Sequence, residues 1–279
     1  MITFNGAVDL DALWILFESN AHSDIIADII TDVARKRVLP HSTDFHGVFQ
    51  MLMRTVSAEH GTQWIANAWA LFRLRPAVWI ALGAIDLAVT VVLACLPLAG
   101  ESTSVFTVLW TGGMTAAAQA CATTGIVSIA DVVNGIRDKF RPLFVVALVA
   151  LLASLVCDFA GSQMSEEFHT LISAAPATGA AGTPWLSALI YAIAALGGAM
   201  ALWLAPSLIV LYDTAPGAAL KASLLAIWRN PWPTLVYGAL VAGLLVAALV
   251  TLGIALLIVA PLVYLSTYAA SRDLFIKEP

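Results

Sequence analysis

Charged side chains are scarce in this chain, at 11% of its 279 residues, against about 25% in ordinary globular proteins. Together with a mean hydropathy of +0.91, this leaves too little polar surface for a soluble fold. Basic residues number 13 against 18 acidic ones, and they form no cluster of the kind that tracks a phosphate backbone, so no nucleic-acid partner is expected. Cys95, Cys121 and Cys157 stand in apolar runs, without a CxxC or a histidine at ligand spacing. They read as reduced core residues rather than as a disulfide or metal site. The start of the chain lacks the basic region and uninterrupted apolar core of a signal peptide, and carries Asp9, Asp11 and Glu18 instead.

Catalytic signatures are missing as well. There is no Gly-x-Ser-x-Gly elbow, P-loop or dinucleotide fingerprint, and the few serines, histidines and aspartates fall at different expected depths. His41, Asp44, His46 and His60 lack zinc-type spacing. No catalytic residue, metal, cofactor or enzymatic activity is therefore expected.

Long apolar runs are what the chain has in abundance. Crossing roughly 30 Å of hydrocarbon takes about 20 residues, and runs of that order occupy 77–98, 105–130, 142–160 and 185–211. A fifth, 233–270, is too long for one crossing and splits near Thr251-Leu252-Gly253. The expected fold is an all-α polytopic membrane bundle of six transmembrane helices, arranged as three hairpins.

The basic residues support that count. All 13 Lys and Arg fall in segments the six-helix reading places inside, and none falls in the outer segments 99–104, 161–184 and 251–253. Positive charge retained on the cytoplasmic face puts both termini there, in a bacterial inner membrane. A five-helix reading would put Arg272 and Lys277 outside. Each outgoing helix is also preceded by an aromatic residue, an arginine and a proline: Phe72-Arg73-Leu74-Arg75-Pro76, Phe140-Arg141-Pro142 and Trp228-Arg229-Asn230-Pro231. The ring suits the headgroup layer, the guanidinium meets lipid phosphate, and proline tolerates a first helical turn. Phe72, Arg73, Arg75, Arg141, Trp228 and Arg229 are thus candidate lipid anchors. Residues 62–75, with Trp64, Ala68, Leu71 and Phe72, have the apolar spacing of a helix lying in the inner interface. So do residues 216–230, with Leu220, Leu224, Ile227 and Trp228.

Residues 1–60 read as a small cytoplasmic helical segment ahead of a membrane domain over 61–279. Ile25, Ile26, Ile29, Ile30 and Val33 share one helical face, and Asp24, Asp28 and Asp32 another. From Met53 onward the chain resembles a proteobacterial BPSS-type family of uncharacterised inner-membrane proteins, distantly like the membrane domains attached to some glycerophosphodiester phosphodiesterases. The resemblance is carried by Met53-Arg54-Thr55-Val56-Ser57-Ala58-Glu59-His60-Gly61 with Trp64-Ile65, by Leu71-Phe72-Arg73 to Pro76, and by Ala205-Pro206 with Ala219-Leu220-Lys221-Ala222-Ser223. It continues in Arg229-Asn230 to Tyr237-Gly238 and in Tyr268-Ala269-Ala270-Ser271-Arg272-Asp273-Leu274-Phe275. It implies a six-helix inner-membrane protein without an established chemistry, and it leaves residues 1–52 outside. Those residues have two readings: translation starts at Met53 or Met51, or the segment is a lineage-specific cytoplasmic extension. A full-length intact mass of the native protein disproves the internal start.

One ionisable residue stands near the middle of an expected span. Asp86 has no Lys, Arg or His at comparable depth, so it is expected to be hydrogen-bonded by neutral partners or protonated. Thr111, Thr115, Gln119 and Thr123 repeat every four residues along the second span, which predicts a polar seam with the two faces turned toward each other. The seam serves a proton, cation or substrate path, or it is polar glue between helices. Small residues at spacing four, Gly113, Ala117, Cys121 and Gly125, place the second span centrally. Ala194, Gly197, Gly198 and Ala201 form a comparable cluster in the fourth. The leading expectation is a non-enzymatic envelope or lipid-associated component whose partners are membrane lipids and other inner-membrane proteins. The alternative is a small transporter or permease using the seam around Asp86, with its substrate unspecified.

Overall fold

The computed structural model of the protein describes residues 51–96, 99–172 and 184–277. The helical face expected over Ile25–Val33 and the Ala/Gly/Thr/Pro stretch 173–183 lie outside them. Among the described residues there are nine helices: α1 (His60–Phe72), α2 (Pro76–Ala94), α3 (Ala99–Thr124), α4 (Ile129–Asp138), α5 (Phe140–Ile172), α6 (Pro184–Tyr212), α7 (Pro216–Arg229), α8 (Pro231–Val250) and α9 (Leu256–Leu274). Two three-residue strands, β1 (Met51–Met53) and β2 (Phe275–Lys277), pair antiparallel with Leu52 opposite Ile276.

Four helices are long and apolar enough to cross a membrane: α2, Phe140–Glu166 of α5, Trp185–Tyr212 of α6, and α8. The chain thus fits a membrane protein. α2 and α8 open on Pro76 and Pro231, because a first-turn residue needs no amide hydrogen for the helix ladder. The split of the last apolar run falls where the sequence places it. Leu252 and Gly253 take φ of 55° and 84°, a left-handed pair that reverses the chain between α8 and α9.

Two boundaries differ from expectation. The run 105–130 does not continue as one helix, because Gly125 at φ 70° ends α3. Ser128 and Asp131 then form a reciprocal capping box that starts the short helix α4. The run 142–160 is exceeded: α5 continues into the expected outer segment as far as Ile172 and is 33 residues long.

α3 and α9 lie at the centre. α9 packs against α1, α2, α3, α6 and α8, and α3 against α2, α4, α5, α6 and α9. Eleven of the residues of α9 are buried, among them Leu265, Ser266, Thr267 and Ser271. These two helices are the least apolar of the long ones, because their polar side chains meet other helices. Tyr237 and Ser266 hydroxyls lie 2.8 Å apart, and Thr115 and Ser207 hydroxyls 2.9 Å apart. Where a hydroxyl has a partner inside the bundle, hydropathy no longer needs to be high.

Small residues have two different uses. A Cβ on Gly113 would stand 2.7 Å from the Val132 carbonyl oxygen, so this glycine lets α4 lie directly on α3. On α6, by contrast, a Cβ on Gly197 would meet nothing within 4 Å, and one on Gly198 would make an ordinary 3.5 Å contact with Ala153. The cluster on α6 opens space rather than closing it.

Residues 51–60 are tied to the helical bundle. Arg54 N–H donates to the Leu274 carbonyl at 2.9 Å, and Val56 N–H to Asn230 Oδ1 at 2.8 Å. Asn230 Nδ2 donates in turn to the carbonyls of Arg54 and Ala226, at 3.1 and 2.9 Å.

Candidate functional site

Asp86 sits on the buried face of α2 with Trp79, Leu82 and Gly83, and is 8% exposed. Its carboxylate accepts a hydrogen bond from Tyr264 of α9, with the hydroxyl 3.3 and 3.4 Å from the two oxygens. The neutral partner expected for this carboxylate is therefore a tyrosine on the last helix. α2 does pack against α3, but Asp86 makes its hydrogen bond elsewhere.

The threonine row of α3 engages α6 and its own backbone. Thr111 and Thr115 donate to the carbonyls four residues earlier at 2.7 and 2.8 Å, and Thr115 also meets Ser207 of α6. Gln119 is partly buried. Thr123 is exposed, bonds back to the Gln119 carbonyl at 2.9 Å, and lines a separate cleft of about 590 Å³ with Gln63, Asn67, Tyr268 and Arg272. The five expected seam residues are thus distributed over three surroundings.

A larger open cleft, of about 670 Å³, lies between α3, α5, α6, α8 and α9. This falls within the roughly 300–1,000 Å³ usual for sites that take small molecules. Its walls are mostly apolar, with Ala150, Ala153, Ala195 and Gly198 giving it width. Thr103, Ser104, Thr107 and Thr111 form a hydroxyl edge along α3. Tyr264 stands in the wall, so one side chain is both cleft lining and partner of Asp86. Trp203 and Thr267 complete this side, with the indole N–H donating to the Thr267 hydroxyl at 3.0 Å. Tyr264, Trp203 and Ser207 were absent from the sequence reading. The signal available was a hydroxyl at mid-depth in the run 233–270, at the level of Asp86.

Of the expected lipid anchors, Arg73, Arg75, Arg141, Trp228 and Arg229 are exposed. Arg75 also donates to the Gly125 carbonyl at 3.3 Å. Phe72 is a correction: at 4% exposure it belongs to an apolar cluster with Trp79 and Leu82, and cannot reach headgroups. Trp69, stacked on it at 5.4 Å, takes the outward place. The α7 face also differs. Ala219, Ser223, Ala226 and Ile227 are buried while Leu224 and Trp228 are exposed, because the small residues let α7 lie on α6, where Ser223 donates to the Met200 carbonyl at 2.6 Å.

The end of the bundle that carries Arg229 and Asn230 also holds a polar hub. Asp273 Oδ2 accepts from Trp64 Nε1 at 2.8 Å and from His60 Nδ1 at 2.7 Å, and Oδ1 lies 3.6 Å from the Arg54 guanidinium. Trp64 is fully buried and packs edge-on against Trp203 and Tyr237. The hub thereby links the first and last described segments to the residues beside the larger cleft. Among the described residues no group of three or more His, Cys, Asp or Glu side chains is placed to hold a metal ion.

The fold and this cleft define a helical protein fitted to a membrane, with an apolar chamber edged by hydroxyls. Comparison with protein-family models, curated proteins and solved structures finds no match for the chain.

Proposed function

We propose that this is a six-span inner-membrane protein with both ends in the cytoplasm, which holds the apolar chain of an amphiphile in the cleft between α3, α5, α6, α8 and α9. The observation that carries the reading is a 670 Å³ opening lined at span depth by small apolar residues. In hydrocarbon such a space fills with the chains around it, since no water competes for it. α3 and α9 complete the six spans. They are 26 and 19 residues long, or roughly 39 and 28 Å at helical rise, and Thr111, Thr115, Ser266, Thr267 and Ser271 on them are buried in the bundle. The sorting of lysine and arginine supports the orientation, and the likeness to BPSS-type inner-membrane proteins agrees with the span count. The reading is non-enzymatic and lipid-associated, because the hydroxyls of Ser104, Thr107 and Thr111 donate to backbone carbonyls rather than to a base. A transport reading is favoured by one contact, the Tyr264 hydroxyl that joins the cleft wall to Asp86.

Orientation and occupancy are tested separately. Fused after Pro279, a fluorescent protein that matures only in the cytoplasm is expected to be bright and a phosphatase active only in the periplasm to be silent. The reverse pattern removes the six-span reading. In vesicles carrying a long, terminally brominated alkyl alcohol, Trp203 emission, isolated by subtracting Trp203→Phe, is expected to be quenched. Gly198→Leu adds a side chain where the Cβ has room, and is expected to restore that emission. Equal quenching in both proteins contradicts chain occupancy of the cleft.

A further inference from the structure

The hydroxyl edge of the cleft has a direction. Ser104, Thr107 and Thr111 donate their protons along α3, to the carbonyls of Gly100, Thr103 and Thr107 at 2.8, 2.8 and 2.7 Å. Across the cleft Thr267 donates to the Val263 carbonyl at 3.0 Å and accepts from the Trp203 indole, also at 3.0 Å. Tyr264 directs its proton to Asp86. Five hydroxyls and one indole that line the space therefore point their hydrogens away from it. A hydroxyl whose proton is committed keeps an oxygen lone pair, so these groups accept hydrogen bonds from the cleft rather than donate into it.

Charge runs the same way. No Lys, Arg or His is among the residues lining the cleft, and two acids stand beside it: Asp86, one hydrogen bond beyond Tyr264, and Asp158, whose Oδ2 would lie 3.2 Å from a Cβ on Gly100, next to the lining residue Ser154. A carboxylate or phosphate end would meet these lone pairs and the carboxyl groups beside them, with no cation to receive it. An alcohol supplies a single hydrogen. A primary ammonium supplies three together with a positive charge, and Ser104, Thr107 and Thr111 present a row of oxygens along one face of α3 at helical spacing three and four, so that adjacent members of the row can share one head.

Resting on the reading of the cleft as an amphiphile site, we propose that its ligand is an alkyl chain ending in a primary ammonium and bearing no anionic group. The ammonium lies against the Thr107 hydroxyl and that of one neighbour in the row, Ser104 or Thr111, and the chain runs between α5, α6 and α8. The small apolar residues set the width available to the chain. The committed hydroxyls decide which head is accepted.

The test uses three probes that share one long, terminally brominated alkyl chain and differ only in the head: ammonium, hydroxyl or carboxylate. Each is added to the full-length protein in vesicles, and Trp203 quenching, again isolated with Trp203→Phe, is compared at equal membrane-bound mole fraction. The ammonium probe is expected to reach half-quenching at about one tenth of the mole fraction the carboxylate needs, the scale of one hydrogen bond to a charged group, with the alcohol between them. Thr107→Val combined with Thr111→Val keeps the side-chain shapes and removes two acceptors, and is expected to erase most of that advantage. Equal quenching by the three heads, preference for the carboxylate, or full retention of the advantage in the double valine variant overturns the assignment while leaving chain occupancy standing. Quenching by every probe that is unchanged in Gly198→Leu overturns chain occupancy itself, and the assignment with it.

Discussion

Asp273→Ala is expected to lower the thermal unfolding midpoint of the detergent-solubilised protein clearly, and to free both ends of the described chain together. The reason is the hub's asymmetry. Trp64 is fully buried, and its indole N–H has Asp273 Oδ2 as acceptor at 2.8 Å, so removal of the carboxylate strands a donor that water cannot reach. That alone costs about 1–3 kcal/mol. His60 loses the same oxygen, and the pairing of β1 with β2 loses the anchor beside it. The Arg54 contact adds little, because it is 3.6 Å long and its side chain is half exposed. Asp273→Asn keeps one acceptor oxygen and is expected to recover part of the loss. Amide hydrogen exchange should accelerate in β1 and the first turn of α1 in Asp273→Ala before it does in α5. A midpoint and exchange pattern equal to wild type would show that the hub is surface decoration.

Gly61→Ala is expected to destabilise by about 1–3 kcal/mol, the usual cost of overpacking a closed contact. A Cβ there would collide with the backbone oxygen of Pro233 and stand 2.9 Å from the Tyr237 amide nitrogen and 3.1 Å from Val236 Cβ. Two of these three neighbours are backbone atoms of α8 and cannot rotate aside, so α1 itself must move. That displacement also disturbs the edge-on contact of Trp64 with Tyr237 at 5.8 Å. Gly197→Ala provides the control. Its Cβ meets nothing within 4 Å, and helix propensity alone then favours alanine by roughly 0.5–1 kcal/mol. Opposite signs for the two substitutions in the same unfolding assay are the expected result. A matching sign would mean that propensity, not helix contact, governs both.

Particular residues show how far sequence reasoning reached. The turn at Thr251-Leu252-Gly253 was legible because a run of 233–270 exceeds what one crossing can use, and Gly253 is the glycine near its middle, which leaves about one span on either side. The end of α3 at Gly125 was not, because Ile126, Val127 and Ile129 prolong the apolar run past the helix, and local capping by Ser128 and Asp131 decides the boundary. Asp86 was found from depth alone. Its partner was missed because depth does not say which neighbour a face meets: Tyr264 lies 178 residues away, on a helix that the packing brings beside α2. The row Thr111, Thr115, Gln119 and Thr123 shares a helical face by spacing, yet its members meet Ser207, the larger cleft and the smaller one, because different helices cover successive turns of α3. Likewise the small residues of α3 and α6 look alike in sequence. One set is closed by Val132 and Leu143, and the other is left open beside Ala153.

What the sequence determines by itself follows from transfer between water and hydrocarbon: which segments are apolar, where lysine and arginine lie, and hence the number of long helices and their expected sense across the bilayer. Each of these is a property of a segment alone. Azimuth and neighbour choice are properties of the assembled bundle. Only the tertiary structure decides that α3 and α9 lie inside, that Tyr264 holds Asp86, and that five hydroxyls turn their protons away from one chamber, because each depends on side chains far apart in the chain meeting at one depth.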